Sequence, residues 1–271
     1  MTRMLSIMLA MALCLPMVAC EPSLTGPAEE PPVQQDPPPP PYTFVVENTA
    51  DKYSDTDGTM LAVYNYDILR MQTSESAGED VAAKAAVFNE TMDGVLESQL
   101  GDELREWAVY DERIKESKVY YTDELTVQYT EVGSFVSVVY DSYSFTGGAH
   151  PNSHAFSYLF DMEKGTFVDP SEIADDPELL RATVTDLILD QINGMDQEMR
   201  DGLFENYPSV VSQWNNHCVE LREEGLLVTF SAYDIGPYAM GALGFDIPYT
   251  SITGALGEGG ADRLLGAPAE K

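Results

Sequence analysis

Basic residues are scarce in this chain. Fourteen Lys and Arg stand against 46 Asp and Glu, for a formal charge of −32. A surface of one sign repels nucleic acid and anionic head groups, which excludes nucleic-acid binding and favours a basic partner. A saline habitat explains the same acidity with no partner at all. Cysteine is also rare: only Cys14, Cys20 and Cys218 are present. Cys14 leaves with an N-terminal signal and Cys20 sits at its end, so Cys218 stands alone and no intramolecular disulfide is expected in the mature chain. The fold must rest on its core. Cys218, in an alternating apolar run beside His217, reads as a buried structural thiol. The apolar run Met4 to Leu15 is too short for a comfortable membrane span. No Gly-x-Ser-x-Gly elbow is present. No enzyme activity, metal or cofactor is expected.

What is there begins with an address. Arg3 supplies a positive n-region, Met4 to Leu15 an apolar h-region, and Met17-Val18-Ala19-Cys20 the end. The last four residues resemble a bacterial lipobox, with Met17 where Leu is usual. That resemblance implies a signal peptide over residues 1–19, cleavage before Cys20 and lipidation of its thiol. Several acyl chains make such anchoring to the bilayer stable. Residues Glu21 to Pro41 carry nine prolines, five of them consecutive from Pro37. With the lipidated cysteine they form a linker over 20–41 that favours polyproline II. It reaches on the order of 60 Å at about 3.1 Å per residue, which holds the folded part off the membrane.

The folded region is expected from Tyr42 to Leu256, with strands at Tyr42 to Val46, Thr59 to Leu69 and Lys118 to Thr130. Glu79 to Leu100 and Asp102 to Lys115 read as helices, and Glu131 to Ser134 as a hairpin turn. Glu163-Lys164-Gly165 turns a further hairpin, and Asp169-Pro170-Ser171-Glu172 opens a helical segment. Pro177 to Ile192 is an amphipathic helix and Asp196 to Tyr207 a shorter one. His217 to Leu221 and Leu226 to Phe230 pair around Glu223-Glu224-Gly225, Leu243 to Ile247 is a last strand, and Pro248 begins a short helix. From Gly257 to Lys271 a polar, disordered tail is expected. The fold class is α+β: two small mixed domains, antiparallel sheets with packed helices.

One stretch organises the rest. Val136 to Phe145 alternates as a strand, Thr146-Gly147-Gly148-Ala149-His150-Pro151-Asn152 breaks it, and His154 to Phe160 alternates again. The glycines permit positive φ, and Pro151 extends His150. A second Gly-Pro loop runs from Tyr233 to Gly241 and contains Pro237 and Tyr238. Rigid loops of this kind hold contacts more often than strand interiors do.

Tyr140 to Pro151 resembles a motif of paired extracytoplasmic domains. These occur in RsiV-like proteins, which are lysozyme-sensing anti-sigma factors, and ahead of the catalytic domain of PdaC-like peptidoglycan deacetylases. Phe230 to Ile247 with Pro248-Tyr249 is similar to the closing motif of the second domain. The resemblance covers about Thr43 to Leu256 and implies a first α+β domain over 42–155 and a second over 156–256. This chain carries a lipobox and a Pro-rich linker where RsiV-like proteins have a sigma-binding segment and a membrane helix. No deacetylase domain is expected after the pair, so that activity is not carried over. What the resemblance implies is recognition at the cell wall, with peptidoglycan or a basic, lysozyme-like muramidase as partner.

Three chemistries compete at the first loop. His150 and His154 stand at i and i+4, but the spacing falls across a proline turn and lacks a third ligand. Ser153 or Ser144 with His150 and an aspartate would make a hydrolase, without a nucleophile signature. A cell-wall hydrolase or deacetylase-type enzyme using the Gly-Gly-Ala-His loop is therefore the alternative. The favoured reading is a binding surface. Tyr143, His150, Asn152, Tyr233 and Tyr238 offer stacking faces and hydrogen-bond groups, on loops shaped by Gly147, Gly148, Pro151 and Pro237.

Overall fold

The computed structural model describes residues 39–117 and 119–266, which belong to one compact unit. The expected signal segment, Cys20 and the expected linker before residue 39 lie outside the described residues. The fold is α+β with two sheets.

The first sheet places six strands in chain order: β1 (Tyr42–Ser54), β2 (Met60–Thr73), β3 (Tyr121–Val132), β4 (Phe135–Phe145), β5 (Asn152–Asp161) and β6 (Thr166–Val168). Neighbours are antiparallel except β2 and β3. A parallel pair requires a crossover, here α1 (Glu79–Glu97), α2 (Gly101–Tyr110) and α3 (Glu112–Ser117). α1 buries Ala85, Phe88, Met92 and Val95 against Tyr66, Ile68, Val138, Tyr140 and Phe160 of the sheet. The expected division between residues 155 and 156 falls inside β5, which pairs with β4 along its whole length.

The second sheet is antiparallel: β7 (Cys218–Leu221), β8 (Gly225–Phe230) and β9 (Leu243–Pro248). α4 (Pro177–Gly194) and α7 (Tyr249–Leu265) pack on it, with α5 (Gln197–Gly202) and α6 (Tyr207–Val211) between α4 and β7. α4 buries Leu180, Val184, Ile188 and Ile192, one face at four-residue spacing. Phe135 and Leu159 of the first sheet join this core. β4 thus serves two cores, because alternate side chains point to opposite faces. Val136, Val138 and Tyr140 face α1; Phe135 faces the second sheet. Cys218 is buried as a free thiol, and that burial pushes it up to about 11.

Serine hydroxyls join the sheets. Leu221 N–H donates to Ser137 Oγ at 3.0 Å and Val219 N–H to Ser157 Oγ at 2.8 Å. These edge N–H groups of β7 would otherwise be buried without acceptors.

Four elements differ from expectation. β1 runs eight residues past Val46; it is mostly exposed and held by its ladder to β2, with Asn48 Nδ2 donating to Asn65 and Asp67, so periodicity of burial does not mark it. The helix expected over 102–115 breaks at Asp111, whose carboxylate accepts from Arg113 and from Tyr121 Oη at 2.6 Å. The helix expected over 196–207 stops at Gly202. The tail expected from Gly257 is instead helical to Leu265. Its glycines disfavour a helix, but Leu256, Gly260 and Leu264 are buried. The helix kinks at Gly257, with φ 74°, where any Cβ would collide with the Asp175 carboxylate. Arg263 ties its end by donating to Asp161 Oδ2 and to the Glu172 carbonyl, both at 2.8 Å.

Candidate functional site

The β4–β5 connection divides into two halves with different neighbours. Gly147 has φ 79°, a conformation other side chains rarely adopt. Its carbonyl accepts from the Arg113 guanidinium at 3.3 Å. Gly147 and Gly148 line a cavity of about 390 Å³ with Asp111, Arg113, Tyr121 and Phe145. Hydrogen bonds from Arg113 and Tyr121 hold the Asp111 carboxyl well below the usual carboxylate range.

The His150 half turns to the second loop. The imidazole stacks on Tyr238, with centroids 3.8 Å apart and planes at 17°. Tyr233 completes the cluster, its centroid 6.4 Å from His150 and 5.7 Å from Tyr238. His150 Nδ1 lies 3.0 Å from the Pro151 carbonyl. A carbonyl only accepts, so Nδ1 carries a proton in this contact, and Nε2 faces Tyr233 Oη at 3.5 Å. Pro151 and Pro237 flank the stacked pair in sequence. Pro237 caps the short 3-10 turn that carries Tyr238.

The second loop is held by residues that the sequence reading passed over. Asp234 Oδ2 accepts from Ser231 N–H at 2.6 Å and lies 3.1 Å from His217 Nδ1. Ser231 Oγ accepts Ala155 N–H at 3.0 Å, which binds the two loops' flanks together. The backbone at Tyr233 is the described non-glycine residue with positive φ, 75°. The Ser231-x-x-Asp234 spacing, the reciprocal half of a capping box, was the available signal.

The remaining expected residues are placed apart from the rings. Asn152 is exposed at the start of β5, opposite Ser144. Tyr143, 38% exposed, pairs with Ser153 and lines a separate cavity of about 370 Å³ with Thr229, Ser231 and Ala242. His154 stacks on Phe156 rather than joining His150. Among the described residues no group of three or more His, Cys, Asp or Glu is placed to hold a metal ion. No described helix is long and apolar enough to cross a membrane.

No curated protein matches the chain. Two crystal structures share its fold. One is a DUF3298-family protein from Bacteroides fragilis NCTC 9343, with a TM-score of 0.58 and 17% identity over 80% of this chain and 94% of that one. The other is a DUF3298-family protein from Pseudomonas aeruginosa PAO1, with a TM-score of 0.51 and 16% identity over 82% and 96%. Residues 178–250, from α4 to the start of α7, match the model of the family described as a protein of unknown function, DUF3298.

Proposed function

We propose that the chain is a lipid-anchored envelope protein whose folded region binds an envelope ligand and is not an enzyme. The ligand is peptidoglycan or a basic, lysozyme-like muramidase. The observation that carries this reading is the ring cluster. His150 comes from one loop, Tyr233 and Tyr238 from another, and the three form one platform. Tyr233 is 55% exposed. Aromatic faces with hydrogen-bond groups at their edges suit sugar rings or a protein cleft. The same geometry weighs against a hydrolase at this loop. One face of His150 is covered by Tyr238, and its nitrogens meet a carbonyl and a phenol rather than a serine and a carboxylate. The RsiV-like and PdaC-like motifs supply the envelope setting, and Cys20 the anchor.

The charge of −32 supplies a second term. It raises the encounter rate with a basic protein and is screened beyond about 10 Å at 0.1 M salt. The test is binding kinetics of the purified protein against cell-wall fragments and against a basic muramidase. His150→Ala, Asn152→Ala and Tyr238→Ala are expected to speed dissociation and leave association unchanged. Added salt is expected to slow association with the muramidase alone. A signal that vanishes by about 0.3 M salt and ignores all three substitutions would mean that charge acts without the loops. For the anchor, Cys20→Ser is expected to abolish palmitate labelling. A variant that still matures and sediments with membranes refutes lipidation.

A further inference from the structure

Asp123 on β3 is 3% exposed, yet half of its carboxylate is unused. Oδ2 accepts from Tyr66 Oη at 2.6 Å and from Leu100 N–H at 3.4 Å. Tyr66 Oη in turn accepts Gly101 N–H at 2.9 Å. Oδ1 accepts no hydrogen bond among the described residues. The carboxyl borders a cavity of about 410 Å³ with Gln99, Ser142, Ser144, His154 and Phe156.

Strand register builds this wall. Asp123 pairs with Ser144, and Ser142 pairs with both Leu125 and His154. Residues so aligned across neighbouring strands share one face. The hydroxyls of Ser142 and Ser144 and the ring nitrogens of His154 make no side-chain hydrogen bond among the described residues. Gln99 spends its amide Nε2 on Val95 O and Ser98 Oγ, which leaves its carbonyl oxygen as an acceptor. Several unpartnered polar groups thus converge on one buried carboxylate.

We propose that this cavity is a binding site for a small molecule bearing a primary ammonium group. Asp123 is the group in the wall that carries formal charge, and the other lining oxygens all accept hydrogen bonds. An ammonium brings three donors and no acceptor. It pairs with Oδ1 and fills the remaining donors on hydroxyl and amide oxygens. An anion would meet no Lys or Arg in the wall, and would face Asp123. Burial chiefly pushes the Asp123 carboxyl up and Glu124 adds to this, while Tyr66, the Leu100 N–H and His154 oppose it; an ammonium on Oδ1 would favour the charged form. A divalent cation needs about six oxygen ligands, more than one carboxylate, two hydroxyls and one amide oxygen provide. The Phe156 ring, stacked on His154 at 5.5 Å, offers an apolar side for the ligand's carbon skeleton. The site is independent of the ring platform and does not rest on the envelope reading.

The test is calorimetric titration of the full chain with glucosamine and with glucose, which differ by an ammonium in place of a hydroxyl. Glucosamine is expected to bind, and glucose at least about tenfold more weakly. Asp123→Asn keeps the shape and is expected to lose at least about tenfold in glucosamine affinity. Should that variant fail to fold, Ser144→Ala and His154→Ala, at less buried positions, are expected to weaken binding in its place. Leu179→Ala, at an exposed position of α4 outside both sites, is expected to leave glucosamine binding unchanged. Three outcomes overturn the proposal: no glucosamine binding at millimolar concentration, equal binding of glucose, or binding indifferent to these cavity substitutions. In any of them Asp123 serves only to tie Leu100 and Tyr66 to β3.

Discussion

The imidazole of His150 lies on the phenol ring of Tyr238, centroids 3.8 Å apart, although one belongs to the β4–β5 connection and the other to the β8–β9 connection. The pair bridges the two sheets on the side where their loops meet. Stacked rings contribute about 0.5–1.5 kcal/mol beyond the area they bury. A double-mutant cycle of His150→Ala and Tyr238→Ala, read by urea unfolding, is expected to return a coupling in that range. Strict additivity would show that the stack contributes nothing.

Arg263 and Asp161 form the tie that secures the end of α7. Asp161 is fully buried, and Arg263 donates to its Oδ2 at 2.8 Å. Arg263→Met would leave that carboxylate with Lys164 at 3.9 Å and two backbone N–H donors. Removing one partner of a buried pair costs about 3–5 kcal/mol, and the remaining contacts put this case at the lower end. Adding Asp161→Asn to the variant should recover part of the loss in urea unfolding.

Ser137 should be intolerant of change despite being small and outside both candidate loops. It is 1% exposed and accepts Leu221 N–H at 3.0 Å. Ser137→Ala leaves that buried donor unpaired, at about 1–3 kcal/mol. Hydrogen exchange at the Leu221 amide should accelerate, whereas amides on the α1 side of the sheet should change less.

The capping box of the 3-10 turn Pro170–Ile173, in which Asp169 accepts from Ser171 N–H and Glu172 from Asp169 N–H, should make part of the stability pH-dependent. Burial alone would push Asp169 up, but bonds from Ser171 and Asn215 and the nearby Arg181 hold it below its ordinary 3.8. Lys164 chiefly holds Glu172 below 4.5. Both folded-state values are depressed, so their contribution is complete above the ordinary values and is lost as pH falls through the lower folded ones. Asp169→Ala should cost about 1 kcal/mol near neutral pH. The gap between it and the parent protein should narrow as acid unfolding proceeds below about pH 4. A gap constant down to pH 2 would contradict the cap's ionic character.

Features specified within a few residues were legible in the sequence. The stripe of Leu180, Val184, Ile188 and Ile192 and the capping box are local, because helix period and cap chemistry reach only one turn. The β3–β4 hairpin at Gly133 and the strand–loop–strand around His150 were legible for the same reason. Cys218 as a buried thiol followed from its alternating neighbours. Tertiary structure decided the rest. β1 beyond Val46 is a strand because β2 offers it a ladder, and hydrogen bonding leaves no apolar signature. The glycine-rich end of α7 is helical because Leu256 and Leu264 are buried and Arg263 reaches Asp161, which outweighs poor propensity. Both loops were visible as candidates in isolation. Their meeting depends on serine hydroxyls accepting backbone N–H groups between the sheets, and such long-range pairings leave no periodic mark in a chain. Asp123 likewise reads as one acidic residue among 46 until the register sets it opposite Ser144 and the Tyr66 hydroxyl donates to its buried carboxylate.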